Sequence, residues 1–131
     1  MHGYVDNLLA ITEANTNFRR VLYTASHSQL VVMSIPPHGE IGAEVHRLDQ
    51  FFRIESGQGS AVIDGIATPV SEGFAMLIPA GARHNVINTG DTDLKLYTVY
   101  APPNHRDGVL HPTRADAVKD AEVFDGVTTE R

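Results

Sequence analysis

An antiparallel all-β sandwich or barrel is the fold class this sequence predicts, and three observations predict it. About eight to ten short runs rich in Val, Ile, Leu, Phe and Tyr follow one another along the chain. Turn signals built on Gly, Pro, Asn and Asp separate them at spacings of about eight to twelve residues. No segment with a 3.6-residue apolar period occurs before residue 112, which speaks against an α/β arrangement. The 131 residues, 42% hydrophobic and 20% charged, are most simply one domain with one core. The barrel core is expected over about residues 18–101 and a C-terminal loop and helix over 102–124.

Taken in order, residues 1–15 carry Leu8, Leu9 and Ile11 and read either as a short helix or as an extended arm toward a partner subunit. Residues 18–25 and 28–35 read as a hairpin, closed by Pro36, Pro37 and Gly39. Residues 41–47 and 50–56 read as a second strand pair joined at Arg47–Asp49. The SAVIDG run ends in Asp64-Gly65, a dipeptide suited to a hairpin turn with positive φ. The return strand IATPV holds Pro69, which cannot donate to a ladder, so an edge position is expected. FAMLIP is an apolar strand stopped at Pro79-Ala80-Gly81, and residues 83–88 form the next. LKLYTVYA alternates, with Leu94, Leu96, Thr98 and Tyr100 on one face. Pro112 precedes Thr113 and Asp116, the spacing of a capping box, and Ala115, Ala117, Val118 and Ala121 suggest an apolar stripe on a short C-terminal helix.

Composition removes several classes of function. The formal charge of -6 and pI near 5.5 argue against a nucleic-acid or anionic-membrane surface. The absence of cysteine removes disulfides, thiolate catalysis and Cys-type zinc sites. No long apolar run and no charged-then-apolar leader occur, so the expected location is the cytoplasm.

The chemistry concentrates in two blocks, GAEVHRLDQFFRIESGQG (42–59) and GFAMLIPAGARHNVIN (73–88). Strand side chains alternate, so Glu44 and His46 point the same way. Gln50 can return to that face after the turn, and His84 can complete the set from a neighbouring strand. Two imidazoles, a carboxylate and an amide oxygen suit a divalent ion such as Mn, Fe, Ni or Zn. Each residue also has a plainer reading: Glu44 and His46 as a solvated pair, Gln50 as surface, His84 as a hydrogen-bonded structural histidine. Asp49 reads as a turn cap on the opposite face. If Gln50 points inward, so do Phe52 and Ile54, while Arg53 and Glu55 face out. Phe52, Ile54, Met76, Ile78, Leu96 and Tyr100 can then line a substrate pocket or serve as plain core. His105 and His111 lie on the loop after the last strand, where histidines usually face solvent, and a lid role is the sharper alternative.

The joint pattern resembles the cupin superfamily. Gly73, Pro79, Gly81, His84 and Asn88 match every position of its second motif. In the first motif His46 matches the second histidine and Gly57 the closing glycine, whereas Glu44 stands in place of the first histidine and Gln50 in place of the glutamate. The resemblance covers about residues 25–101 and extends to small single-domain cupins labelled mannose-6-phosphate-isomerase-like. It implies a double-stranded β-helix, or jelly roll, with a divalent transition metal in the lumen held by Glu44, His46, Gln50 and His84. The swap leaves the charge of the ligand set unchanged, because Glu44 restores the negative charge that Gln50 lacks. The implied function is metal-dependent binding of a small molecule, with oxygenase, isomerase and lyase chemistry all open. The rivals are a non-catalytic ligand-binding or sensor cupin and, ranked lower, a sugar-phosphate isomerase, for which no Arg/Lys cluster is evident. The resemblance also implies pairing into a homodimer.

Overall fold

The computed structural model describes all residues, 1–131. The chain forms α1 (Leu8–Ala14), β1 (Arg19–Thr24), β2 (Gln29–Ile35), β3 (Asp49–Ser56), β4 (Gln58–Ile63), β5 (Ile66–Ser71), β6 (Ala75–Ile78), β7 (His84–Asn88), β8 (Leu94–Ala101), β9 (Leu110–His111) and α2 (Arg114–Lys119). Two antiparallel sheets face each other. One has six strands in the order β6-β3-β8-β2-β1-β9, the other three in the order β5-β4-β7. The spacing of short strands and turns leads to an antiparallel sandwich or barrel, and the form it takes is the jelly roll that the resemblance implies.

The core lies between the sheets, and strand alternation decides who enters it. On β8 Leu94, Leu96, Thr98 and Tyr100 are buried, as the alternation predicts. On β3 Gln50, Phe52 and Ile54 point the same way. The register shifts between Ile54 and Ser56, and the Glu55 side chain, expected outside, is buried with Arg53 Nε 3.7 Å from its carboxylate. The strand holding Pro69, β5, is an edge of the smaller sheet. Asp64 and Gly65 both take positive φ, 46° and 83°, as their hairpin demands. Gly57 and Gly59 have a different reason to be glycine. An added Cβ would meet Asp93 O at 2.7 Å at the first and Ile87 O at 2.6 Å at the second.

Three expectations change. Residues 41–47 are not a strand paired with 50–56. They form an extended run held by two isolated bridges, Glu40 to Ile87 and Glu44 to His84, because β3 finds its partners in β6 and β8 instead. The first residues make the helix rather than the arm. Asn7 caps α1 by accepting from Ala10 N, Thr12 is buried, and the helix packs on β2, β3 and β8 of its own barrel. At the other end, the Thr113–Asp116 capping box forms, but α2 buries no residue, so its alanines are no core stripe. Only Ala117 touches the core, from a partly buried position. No helix is long and apolar enough to cross a membrane.

Candidate metal site

The second motif supplies the rigid half of the site. Gly81, at φ 90°, turns the chain into β7, and His84 opens that strand with its side chain buried. Its Nδ1 lies 3.1 Å from Ala82 O. A ring that donates from Nδ1 to a carbonyl keeps its Nε2 lone pair free to ligate. Asn88 closes the motif by donating from Nδ2 to Ile35 O and Thr92 O, which fixes the far end of β7 to the opposite sheet and the next turn.

The first motif is laid against it. Glu44 and His84 exchange both backbone hydrogen bonds at 2.9 Å, so their side chains emerge side by side. His46, two residues on, shares that face. Gly81 N donates to His46 O at 2.8 Å, and Ala80 N donates to Asp49 Oδ1 at 2.9 Å. Asp49 is thus a cap, but of the Pro-Ala-Gly corner in the other motif rather than of its own turn. Gln50 enters from the six-stranded sheet. It is 3% exposed and donates to Thr98 Oγ1 at 3.0 Å.

Ligand atoms of Glu44, His46 and His84 all lie within 4.8 Å of one another. Gln50 Oε1 is 3.1 Å from His84 Nε2. Two donors on one ion, each at about 2.1 Å, stand no more than about 4.2 Å apart, so modest side-chain closure brings the trio onto a shared cation. Two local mismatches favour a cation there. His46 Nε2 is buried 2.6 Å from Glu44 Oε2, yet off the angle of a hydrogen bond, which leaves that nitrogen without an aligned partner. His84 Nε2, with Nδ1–H given to Ala82 O, presents a lone pair to the Gln50 oxygen; a cation between the two acceptors, or a turned amide, relieves this. Burial works to raise the Glu44 carboxyl, but His46, Arg19 and His84 outweigh it and hold the group below the ordinary carboxylate value. The donor set therefore fits a divalent ion.

The six expected pocket residues, Phe52, Ile54, Met76, Ile78, Leu96 and Tyr100, all pack in the core cluster. Two of them also face the site. The Phe52 ring is 6.3 Å from the His84 ring and the Tyr100 ring 6.0 Å from the His46 ring, both edge-on.

Behind Tyr100 stands a group that strand alternation alone cannot reveal. His105 is 6% exposed, not solvated as loop histidines usually are. Its Nε2 lies 3.2 Å from Tyr100 Oη and its Nδ1 2.7 Å from Glu122 Oε1. The Glu122 side chain is 2% exposed. Burial pushes the Tyr100 phenol well up, so it stays protonated. Burial also lowers His105, and this exceeds the opposing pull of Glu122. His111 is buried as well, with Nε2 3.0 Å from Asp120 Oδ2 and Nδ1 3.3 Å from Arg19 Nη1. Sequence offered one signal for this cluster, the density of histidine and acid between 105 and 122, and no means of pairing its members.

Comparison with known proteins identifies the family of the fold that carries this site. An uncharacterised Bacillus subtilis protein, YrkC, is 44% identical over 122 residues, 88% of this chain, and the chain spans 66% of that relative's length. An uncharacterised protein of Acanthamoeba polyphaga mimivirus, L612, is 40% identical over 116 residues, covering 85% of this chain and 72% of its own. The crystal structure of BH2720 from Bacillus halodurans superposes with a TM-score of 0.89 at 42% identity, over 91% of this chain and 96% of that one. Residues 31–100, which hold the first motif, the second motif and the strand carrying Tyr100, match the family model of the cupin domain, and this chain belongs to the cupin family.

Proposed function

We propose that this protein is a metal-dependent cupin that binds a small molecule, with a divalent transition metal held by Glu44, His46 and His84 and with Gln50 Oε1 as the fourth protein donor. The observation that carries the reading is the buried, unaligned Nε2 of His46 in a trio whose ligand atoms lie within 4.8 Å. Bound there, such an ion would polarise a carbonyl or hydroxyl of the ligand or support O2 chemistry. Mn, Fe, Ni and Zn all suit the donor set.

The chain's own residues then have distinct tasks. Ala82 O keeps the His84 ring turned with Nε2 toward the site. Thr98 accepts from the Gln50 amide nitrogen and so aims the amide oxygen at His84. Tyr100 keeps its proton, and with His105 and Glu122 behind it can hold that proton against the barrel interior.

The test is elemental analysis of protein purified without chelator. We expect about one equivalent of Mn, Fe, Ni or Zn per chain, lost in His46→Ala and in His84→Ala. A correctly folded, metal-free wild type that also takes up none of these ions on dialysis overturns the proposal.

A further inference from the structure

Arg19 is a buried cation with donors to spare. It lies on β1, 8% exposed, while its neighbour Arg20 faces solvent. None of the ion pairs of the protein uses it; the arginines that pair are Arg53, Arg106 and Arg131. Its side chain makes one hydrogen-bond contact in the chain, Nη1 to His111 Nδ1 at 3.3 Å. The Nε is buried without a hydrogen-bond partner, and the guanidinium carbon stands 5.3 Å from the centroid of the Phe18 ring. A desolvated guanidinium left part-paired is costly, and its planar fork of N–H groups matches a carboxylate two bonds at a time.

The residue lines a pocket of about 260 Å³ together with Phe18, Ile41, Glu44 and Arg114. Glu44 is therefore common to this pocket and to the metal trio. A divalent ion held by one carboxylate and three neutral donors keeps a positive excess, and Arg19 adds to it. Arg114 stands exposed at the rim with its Nε donated to Ile41 O. Arg19 and Arg114 are matched in the lining by the carboxylates of Glu40 and Glu44, so the pocket has no net positive charge of its own, which favours a single carboxylate on the buried Arg19 over a phosphate dianion.

We propose that Arg19 binds the carboxylate of a small organic acid that enters by this pocket and reaches the metal site past Glu44. This rests on the metal-site reading for the second anchor of the ligand, and on Arg19 alone for the first.

Nitrogen-15 NMR of the arginine Nε–H groups tests it. The Arg19 signal is assigned by its loss in Arg19→Lys, and the Arg20 signal by its loss in Arg20→Lys. Metal-free and zinc-loaded protein are titrated at constant ionic strength with acetate, with the neutral isostere acetamide and with inorganic phosphate. Zinc content is measured in every sample. Acetate is expected to shift the Arg19 Nε–H saturably in both forms, about tenfold or more tighter than acetamide, and tighter with zinc bound. Arg19→Lys should weaken acetate binding, read on the backbone amides of Gly42 and Ala43, while Arg20→Lys should leave it unchanged. A response to acetamide equal to that for acetate, no saturable shift, or phosphate as the tighter ligand overturns the proposal. A protein that takes up no zinc refutes the metal reading instead, and the acetate titration of the metal-free form still decides Arg19.

Discussion

His84 and His46 converge on the same few ångströms from unlike supports. His84 stands in a hydrogen-bonded strand, 4% exposed, its ring tied to Ala82 O and closed in by Phe52 and Gln50. His46 hangs on the extended run 41–47, whose backbone is held by isolated bridges and by the Gly81 contact, and its ring has no aligned hydrogen bond. One half of the site is therefore part of the fold, and the other half is laid against it. Removing the first should cost structure and metal together; removing the second should cost metal alone.

The largest effect expected from this contrast is on stability. His84→Ala leaves a cavity and unpaired polar groups in the core and should lower the unfolding free energy of the metal-free protein by about 2–3 kcal/mol in urea titration. His46→Ala should lower it by less than about 1 kcal/mol, although both variants lose the metal. Equal losses would erase the distinction between the two supports.

A second, smaller effect tests the exchange of carboxylate and amide. Gln50→Glu places another carboxyl at a 3% exposed position beside His84 Nε2, which the Gln50 oxygen approaches to 3.1 Å. The metal-free variant should be less stable than wild type by about 1–2 kcal/mol, and Mn or Zn should restore it, since the ion meets the added charge. Destabilisation that persists with metal bound would mean that position 50 does not face the ion.

The smallest effect is a slope against pH, and it separates the trio from the cluster behind it. Glu44 lies below its ordinary 4.5 in the folded protein, so its stabilising contribution is present above that value and is lost as pH falls through the lower folded value. His105 lies below its ordinary 6.5 when folded. The unfolded chain then binds more protons, and stability declines as pH falls below about 6.5. His105→Gln should flatten thermal midpoints between pH 7 and pH 5.5 and leave the acid-side loss from Glu44 in place. An unchanged slope would place the proton uptake elsewhere.

These contrasts also mark what the sequence can say. Local rules reach the β8 face, the inward set Gln50, Phe52 and Ile54, the edge position of Pro69 and the hairpin at Asp64-Gly65, because each depends on period or backbone conformation alone. The spacing of the two motifs brings out Glu44, His46 and His84, which the fold does gather. Three kinds of feature escape. The run 41–47 has strand composition, but both sides of β3 are taken by β6 and β8, so it lies along the edge strand β7 instead, touching it only at isolated bridges. The alanines of α2 have apolar spacing but no facing surface. Arg19, His105, His111 and Glu122 are joined across as many as 92 residues, as between Arg19 and His111, and no local period encodes such partners.

The hydrogen bond from Gly81 N to His46 O has a use of its own. It is the backbone link between the two motifs at the corner, with the donor in the firm half and the acceptor in the loosely attached one. Its amide proton becomes free to exchange with solvent whenever residues 42–47 lift away, without any need for the barrel to come apart. The exchange rate at that one amide is thus a local clock for opening of the site, and its slowing on addition of an ion or an acid would measure how firmly that ligand holds the mouth shut.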